Sequence, residues 1–339
     1  MMNSRRPNIA VVGATGAVGT AMLSILSERK FPLDKLFPVA SARSAGDVVD
    51  FKGQGLDVWD VTQFDFSQVD IALFSAGSEV SATYVPIAAA QNCICIDNTS
   101  QFRYDYDVPL VIPEVNPTAL GDFSRRNIIA NPNCSTIQML VALKPIYDAV
   151  GISRINVATY QAVSGAGRAG VKELAKQCGE LLNGRPADVH TFPTQIAFNV
   201  IPHIDVMQDN GYTREEMKMV WETQKILDDD VIQVNPTAVR VPVFYGHSEA
   251  VHIETREKLT AAQAIELLTN APGVECFPTD AYPTAVIQGT GEDKVYVGRV
   301  REDISTDLGL NLWVVADNVR KGAALNAVQI AEMLVQDYL

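Results

Sequence analysis

Residues 8–12, Asn-Ile-Ala-Val-Val, form a short continuous apolar run. A glycine-rich segment follows, and residues 20–30 then form an amphipathic stretch that ends before Phe31 and Pro32. This order predicts a strand, a tight turn and a helix. Further apolar runs occupy 36–41, 69–76, 93–98, 109–116 and 127–134, each reaching polar or glycine-containing residues at its C-terminal end. Strands alternating with helices predict an α/β fold with a mostly parallel, doubly wound sheet. Ligands of such sheets bind beyond the carboxyl ends of the strands, where the sequence places Ser41, Arg43, Ser75, Gly77, Asn98 and Cys134. After Cys134, apolar residues recur at helical spacing as far as Gly151.

From about residue 152 the pattern changes to longer alternating runs, at 154–163, 237–255, 280–290, 294–303 and 308–318. They predict an antiparallel sheet with one covered face, interrupted by helices at 169–183, 213–227 and 260–270. The segment 320–339 has apolar residues on one helical face and is expected to return to the first domain. The expected domains are therefore 1–133 with 320–339, and 134–319, the second of α+β type.

Composition narrows the function. A chain of 339 residues with 47% hydrophobic content can bury full cores, and it shows no internal repeat or low-complexity tract. The net charge of −13 argues against nucleic acid or an anionic membrane as partner, so any anionic substrate must meet cations placed locally. The first apolar run is too short for a signal peptide or a membrane span. Five cysteines at irregular spacing favour a reducing, cytoplasmic setting over a disulfide framework. Cys93, Cys95, Cys178 and Cys276 lie in strand-like or helical patterns and read as small core residues; no metal site is expected.

In Gly13-Ala14-Thr15-Gly16-Ala17-Val18-Gly19, between strand and helix, glycines let the backbone turn sharply and approach a pyrophosphate at the helix N-terminus. The plain alternative is a structural turn. An NAD enzyme would be expected to carry an acidic residue near the end of the second strand. This chain has Ser41-Ala42-Arg43-Ser44 there, a guanidinium between hydroxyls that suits a 2′-phosphate, so NADP is the expected cofactor.

Asn131-Pro132-Asn133-Cys134-Ser135-Thr136 sets one cysteine apart, because it ends an apolar run and opens a long helix. Amide groups and the positive helix end there would stabilise a thiolate and bind an oxyanion. An inert thiol at a helix start is an equal alternative on local grounds. Arg240 and His247 share one extended stretch and its turn, supplying a cation and a group that titrates near working pH. Gln161 precedes Ser164-Gly165-Ala166-Gly167, a loop able to bring backbone near a ligand. Arg103 lies in a polar insertion where solvation is the default, and Glu215 with Lys218 has the i, i+3 spacing of a surface ion pair.

Taken in order, GATGAVG, SARSAG, NPNCST, YQAVSGAG, RVPVFYGHSE and DNVRKGAALNAVQ span essentially the whole chain. Together they closely resemble the aspartate-β-semialdehyde dehydrogenase family. The resemblance implies a Rossmann-type N-terminal domain joined by the C-terminal helix, a central catalytic and dimerisation domain, and a homodimer or higher homo-oligomer. It implies the reversible NADP-dependent reduction of β-aspartyl phosphate to aspartate semialdehyde and phosphate, in lysine, threonine, methionine and diaminopimelate biosynthesis. By the same resemblance Cys134 is the acyl-accepting nucleophile, His247 the acid/base and Gln161 an orienting residue, with Asn133 beside the nucleophile in the substrate site. Arg240 would clamp the α-carboxylate, Glu215 face the α-amino group, and Arg103 and Lys218 hold phosphate, although Glu216, Glu222 and Lys225 have similar spacing. Gly13, Thr15, Gly16, Ala17, Val18, Ser41, Arg43, Ser44, Ser75, Gly77, Ser164, Gly165 and Asn318 would contact the cofactor.

N-acetyl-glutamyl-phosphate reductase shares this plan but fits RVPVFYGHSE and SARSAG less well, and glyceraldehyde-3-phosphate dehydrogenase has another cysteine context. A non-catalytic nucleotide-binding relative would be expected to have lost the nucleophile, whereas Cys134, Gln161, Arg240 and His247 are all present.

Overall fold

The structure, a computed structural model, describes residues 6–339; the first five residues of the expected N-terminal domain lie outside the described part. The chain divides into two units, one running to Pro132 and resuming at Ala323–Leu339, the other Asn133–Gly322.

In the first unit the strands are β1 (Ile9–Val12), β2 (Leu36–Ala40), β3 (Val48–Phe51), β4 (Gln54–Asp57), β5 (Trp59–Asp60), β6 (Ile71–Phe74), β7 (Ile94–Asp97) and β8 (Ile128–Ala130). Its helices are α1 (Ala17–Glu28), α2 (Ser78–Ala90) and, at the C-terminus, a helix that closes the chain at Leu325–Asp337. Six strands form a sheet in the order β5-β2-β1-β6-β7-β8, with every pairing parallel.

Parallel strands buried on both faces need apolar residues at every position, which is why these runs do not alternate. Ile9, Val11, Ile71, Leu73, Ile94 and Ile96 share one core with Met22 and Ile25 of α1 and Val328 and Ile330 of the C-terminal helix. On the opposite face, Asp97 accepts a hydrogen bond from Ser81 of α2 at 2.8 Å, and the Cys95 thiol meets the Val85 carbonyl.

The apolar run 109–116 is not a strand, contrary to the expectation. Only Leu110 bridges to Ala130, because Pro109 and Pro113 lack donors and Asn116 folds the segment back through bonds to Ile112 and Leu110. The hairpin β3–β4 was not anticipated; its turn, Lys52-Gly53, has φ of 55° and 77°, the pair of positive values that matches strand twist.

The second unit holds α3 (Cys134–Val150), β9 (Ile152–Gln161), α4 (Gly167–Leu182), α5 (Arg214–Leu227), β10 (Gln233–Arg240), β11 (His247–Thr255), α6 (Ala261–Thr269), β12 (Val274–Cys276), β13 (Val295–Glu302) and β14 (Gly309–Ala316). The C-terminal helix of the first unit is then α7. The sheet order is β10-β9-β11-β14-β13-β12. It is mixed, not antiparallel as expected: β10 runs parallel to β9 and β12 to β13. The physical reason is the long crossover through α4 and α5, which returns the chain in the same direction.

The run 237–255 divides at the turn around Gly246 into β10 and β11, which flank β9 on opposite sides. The segment 280–290, expected as a strand, is a series of turns pinned by the Gln288 carboxamide oxygen on the Thr284 amide. Strand β9 alternates cleanly, with Ile155, Val157, Thr159 and Gln161 on the buried side, where α3 packs. Among the described residues no helix is long and apolar enough to cross a membrane.

One close approach fixes the first turn of the fold. A Cβ on Gly19 would lie 2.1 Å from the Gly13 carbonyl oxygen, so α1 can pack on the glycine turn only without a side chain there. Gly19→Ala is expected to lower unfolding free energy by about 1–3 kcal/mol through overpacking, read as an earlier denaturant midpoint of the first unit.

Candidate active site

The sheet register of the second unit brings distant residues to one end. Arg240, the last residue of β10, is paired with Gln161, the last of β9. On the other side of β9, Ser248 is paired with Tyr160, which sets His247, the first residue of β11, beside Gln161. The N-terminus of α3 closes the cluster. Sequence alone placed Arg240 and His247 on one extended stretch; they are instead on separate strands with Gln161 between them.

Asn133 holds the helix start. Its Oδ1 accepts from the Ser135 and Thr136 amides at 3.0 and 3.3 Å, the usual N-cap arrangement. Its Nδ2 donates to Glu215 Oε1 at 2.9 Å, and its own N–H donates to Glu222 Oε2 at 2.6 Å. Cys134 is thereby fixed as the first helical residue and is partly exposed, unlike the fully buried Cys93 and Cys95. Cys178 and Cys276, expected in the core, are also only half-buried. A helix N-terminus favours negative charge, as a thiolate requires.

Arg240 is buried, and its Nη1 donates to the Ala162 carbonyl at 2.8 Å. Among the described residues it forms no ion pair within 4 Å, while Glu215 and Cys134 act on it electrostatically. Burial pulls its pKa down, against the pull of Glu215 and Cys134. A guanidinium with most of its five donors uncommitted, in a dry setting, is built to receive an anion.

His247 is fully buried. The Ala162 N–H donates to its Nδ1 at 3.0 Å, so the neutral ring carries its proton on Nε2. That Nε2 has no hydrogen-bond partner among the described residues. It faces the bare Cα of Gly165, where a Cβ would stand 3.5 Å from Nε2 and 2.7 Å from Arg240 Nη1. Burial, and next the charge of Arg240, push the imidazole down to about 3, with Glu215 and the Gly246 carbonyl acting weakly the other way.

Glu215 is buried and Lys218 largely so, and their pairing at 2.9 Å is therefore no surface ion pair. Burial would raise the Glu215 carboxyl, but Lys218, the Asn133 amide and Arg240 outweigh it and hold it at about 2. Lys218 also meets Asp205 at 2.8 Å, leaving one of its three ammonium donors beyond these two bonds. Burial lowers its pKa, and Glu215 and Asp205 more than restore it. Gln161 Nε2 donates to Ser135 Oγ at 2.7 Å and to Glu215 Oε1 at 3.2 Å.

The structure separates Glu215 from the glutamates of similar spacing. Glu216 completes the capping box of α5 and accepts from the Ala238 amide, and Glu222 accepts from Asn133. Ser164 exchanges hydrogen bonds with Asn318 at 2.9 and 3.1 Å, and Asn318 also accepts from the Gly246 amide, so this pair braces the turn into His247.

In the first unit, Gly13 has φ +91° and would clash with the Ser75 carbonyl if it carried a Cβ. Thr15, Gly16, Ala17 and Val18 are partly exposed, and the start of α1 at Gly16 has no side-chain cap, leaving its amides for an anion. Ser75 and Gly77 follow β6 at the same sheet edge. Ser41 and Arg43 are exposed just after β2, and the Ser44 amide closes a turn onto the Ser41 carbonyl. Arg103, expected in a solvated insertion, is buried, and it donates to the carbonyls of Asn131 and Asn98 at 2.9 and 2.7 Å. No cluster of metal-ligating side chains occurs among the described residues.

Sequence reasoning passed over Ser135 and Gly322, and named Glu222 only as an alternative to Glu215. Gly322 lies in a π-helical turn, Arg320–Ala324, and a Cβ there would stand 2.8 Å from Cys134 Cβ. Adjacency of serine to the cysteine was the only available signal for Ser135.

A dinucleotide-type unit, and a mixed-sheet unit with a thiol, an imidazole and a guanidinium unpaired among the described residues, define a class, and the comparisons agree with it. Residues 8–123 match the family model described as semialdehyde dehydrogenase, NAD binding domain, and residues 143–321 match that described as semialdehyde dehydrogenase, dimerisation domain. The chain is 64% identical over 336 residues to an aspartate-semialdehyde dehydrogenase of Shewanella violacea, covering 99% of each chain. It is 51% identical to that of Aquifex aeolicus over 98% of each. A crystal structure of aspartate semialdehyde dehydrogenase II from Vibrio cholerae, complexed with ASA, superposes with a TM-score of 0.98 at 64% identity, over 99% of this chain and 100% of that one. The chain belongs to the aspartate-semialdehyde dehydrogenase family of enzymes.

The state of His247 is measurable. The unfolded ring binds a proton below its ordinary 6.5, whereas the folded ring does so only near 3, so acidification through that window favours the unfolded chain. Its ring resonances are expected to stay those of the neutral Nε2–H form from about pH 8 down to pH 5. Nitrogen NMR of the labelled ring checks this; a midpoint above 6 would contradict the buried, Arg240-facing geometry.

Proposed function

We propose that this chain catalyses the reversible NADP-dependent interconversion of β-aspartyl phosphate with aspartate semialdehyde and phosphate, through a thioester on Cys134. The single observation that carries the reading is Arg240, a buried guanidinium with no carboxylate paired to it among the described residues, set with Cys134 and the Nε2 of His247, which has no partner among them either. The Vibrio cholerae relative complexed with ASA supports the substrate.

The α-carboxylate binds Arg240, whose planar fork accepts it with two hydrogen bonds, and Glu215 receives the α-ammonium. Lys218, through its remaining donor, holds the phosphoryl group. Neutralising Arg240 in this way also weakens the second cause that keeps His247 unprotonated. The Cys134 sulfur, favoured as thiolate by the helix terminus and Arg240, attacks the acyl carbon. The carbon–oxygen bond to phosphate breaks, phosphate leaves with the electron pair, and a thioester remains.

NADPH, when bound, supplies hydride to the thioester carbon. His247 meets the developing oxyanion with Nε2–H; its other nitrogen already accepts from Ala162, so the ring serves as donor and not as base for the thiol. Collapse of the hemithioacetal breaks the carbon–sulfur bond and returns the thiolate. The uncapped start of α1, the glycine turn and exposed Arg43 between two serines fit a dinucleotide bearing a 2′-phosphate.

The match to a dimerisation domain supports a homodimer. Tyr160 and Trp313 have ring centroids 5.6 Å apart on one face of the second sheet, and Trp313 with Tyr282, Leu312, Arg299 and Arg301 lines a cavity of about 280 Å³ there; this face would make that contact.

Phosphate-dependent reduction of NADP⁺ by aspartate semialdehyde tests the activity. Cys134→Ala is expected to abolish it, and acid quenching during turnover without phosphate should leave an aspartyl adduct on Cys134 by mass spectrometry; full activity in the variant would exclude the covalent scheme. Arg240→Lys is expected to raise KM for aspartate semialdehyde about tenfold or more, through loss of the bidentate contact. An unchanged KM would remove Arg240 from the carboxylate site.

A further inference from the structure

Two hydrogen bonds decide which way round the Gln161 amide stands. Its Nε2 reaches Ser135 Oγ at 2.7 Å and Glu215 Oε1 at 3.2 Å. Glu215 is ion-paired with Lys218 and takes a hydrogen bond from Asn133, so it is a carboxylate that can only accept. The amide atom facing it must therefore be the nitrogen and not the oxygen. The same nitrogen meets Ser135, whose hydroxyl oxygen is then the acceptor. Both hydrogens of the amide nitrogen are taken up by these two partners. The carbonyl oxygen Oε1 accepts no hydrogen bond among the described residues, which makes it the end of the amide left for the reaction.

Of the two partners, Ser135 makes the shorter contact and is firmly held. It is fully buried, and its own N–H donates to Asn133 Oδ1 at 3.0 Å, the N-cap bond that also places Cys134. Gln161 is buried too, at the last position of β9, so water offers its Nε2 no ready replacement. Without the serine oxygen one amide hydrogen would be left buried with no acceptor, and a change of rotamer would relieve that loss. A simple flip would not, because it would set the carbonyl oxygen against the Glu215 carboxylate.

We propose that Ser135 is a positioning residue for the reaction, its hydroxyl oxygen holding the Gln161 amide with Nε2 on Glu215 and Oε1 presented. The neighbour of the nucleophile in sequence thus sets the geometry of a side chain 26 positions away. The inference rests on the reaction proposed at Cys134 and on Gln161 as its orienting residue.

The test is a double-mutant cycle in the full-length enzyme, with aspartate semialdehyde, phosphate and NADP⁺ as reactants. Ser135→Ala is expected to lower kcat about tenfold while KM for aspartate semialdehyde moves less than about threefold, since the amide is misdirected and the Arg240 clamp is intact. Gln161→Ala should lower kcat at least as far. Adding Ser135→Ala to it should cost less than about a further twofold, because the serine then has no amide to hold. A role for Ser135 in helix packing alone would lower kcat by the same factor in both backgrounds.

A second readout needs no turnover. By NMR of protein carrying glutamine labelled at the side-chain nitrogen, the amide signal absent from Gln161→Ala should exchange its hydrogens slowly in the wild type and about tenfold faster or more in Ser135→Ala. Should Ser135→Ala not fold, Ser135→Cys, of similar size but a weak acceptor, is expected to show the same loss of kcat and the same faster exchange. Wild-type kcat in the Ser135 variant, multiplying losses in the double variant, or fast exchange in the wild type would each overturn the proposal. A wild type that does not turn over aspartate semialdehyde would instead sink the reaction proposed at Cys134, and the exchange measurement would still decide whether Ser135 holds the amide.

Discussion

The arrangement in the second unit depends on how the first turn of α3 is held. One asparagine does three things there: the Asn133 oxygen caps the helix, its amide group reaches Glu215, and its backbone N–H is taken by Glu222. A helix start is normally a place of fraying and unsatisfied donors. Here it is tied to α5 by two carboxylates, so the residue after the cap, Cys134, has a fixed place relative to strands far away in sequence. The Cys134 sulfur inherits its position from an asparagine and two glutamates that hold the helix start.

Charge in this cluster is arranged by imbalance. Glu215 is matched by Lys218, and Lys218 by Asp205, whereas Arg240 is left with a carbonyl and, among the described residues, no acid. In a chain of net charge −13, leaving a buried arginine unpaired runs against the general trend and makes sense only if the counter-charge arrives with a ligand. The same cation adds to burial in depressing His247, so the unbalanced charge also acts on the protonation of its neighbour. Two carboxylates in the same unit mark the extremes of this logic. Glu215, among donors and cations, sits near 2, whereas Glu249, among neutral groups, is pushed well above its ordinary value.

Much of the fold and of the site was legible in the sequence because each feature had a local cause. The glycine turn after β1, the helix after Cys134 and the serine-flanked Arg43 are contiguous motifs whose physics is carried by neighbouring residues. Errors came where local pattern was ambiguous. Residues 109–116 and 280–290 are apolar enough for strands, yet prolines and side chains that bond back to the main chain, Asn116 and Gln288, turn them into loops. The mixed pairing of the second sheet was invisible because alternation reports a covered face but not the direction of the neighbouring strand.

By itself the sequence determined which residue types were available and that Cys134 opens a helix, since propensity, periodicity and capping act over a few residues. Only the tertiary structure decided that Gln161, Arg240 and His247 meet at one end of a sheet, that Glu215 rather than Glu216 or Glu222 faces them, and that Arg103 is buried. It also decided the proton positions. The Nε2–H form of His247 follows from an amide 85 residues away in the chain, and the upward push on the Glu249 carboxyl from its burial. Protonation is set by whatever surrounds a group in space, and spacing along the chain does not carry that information.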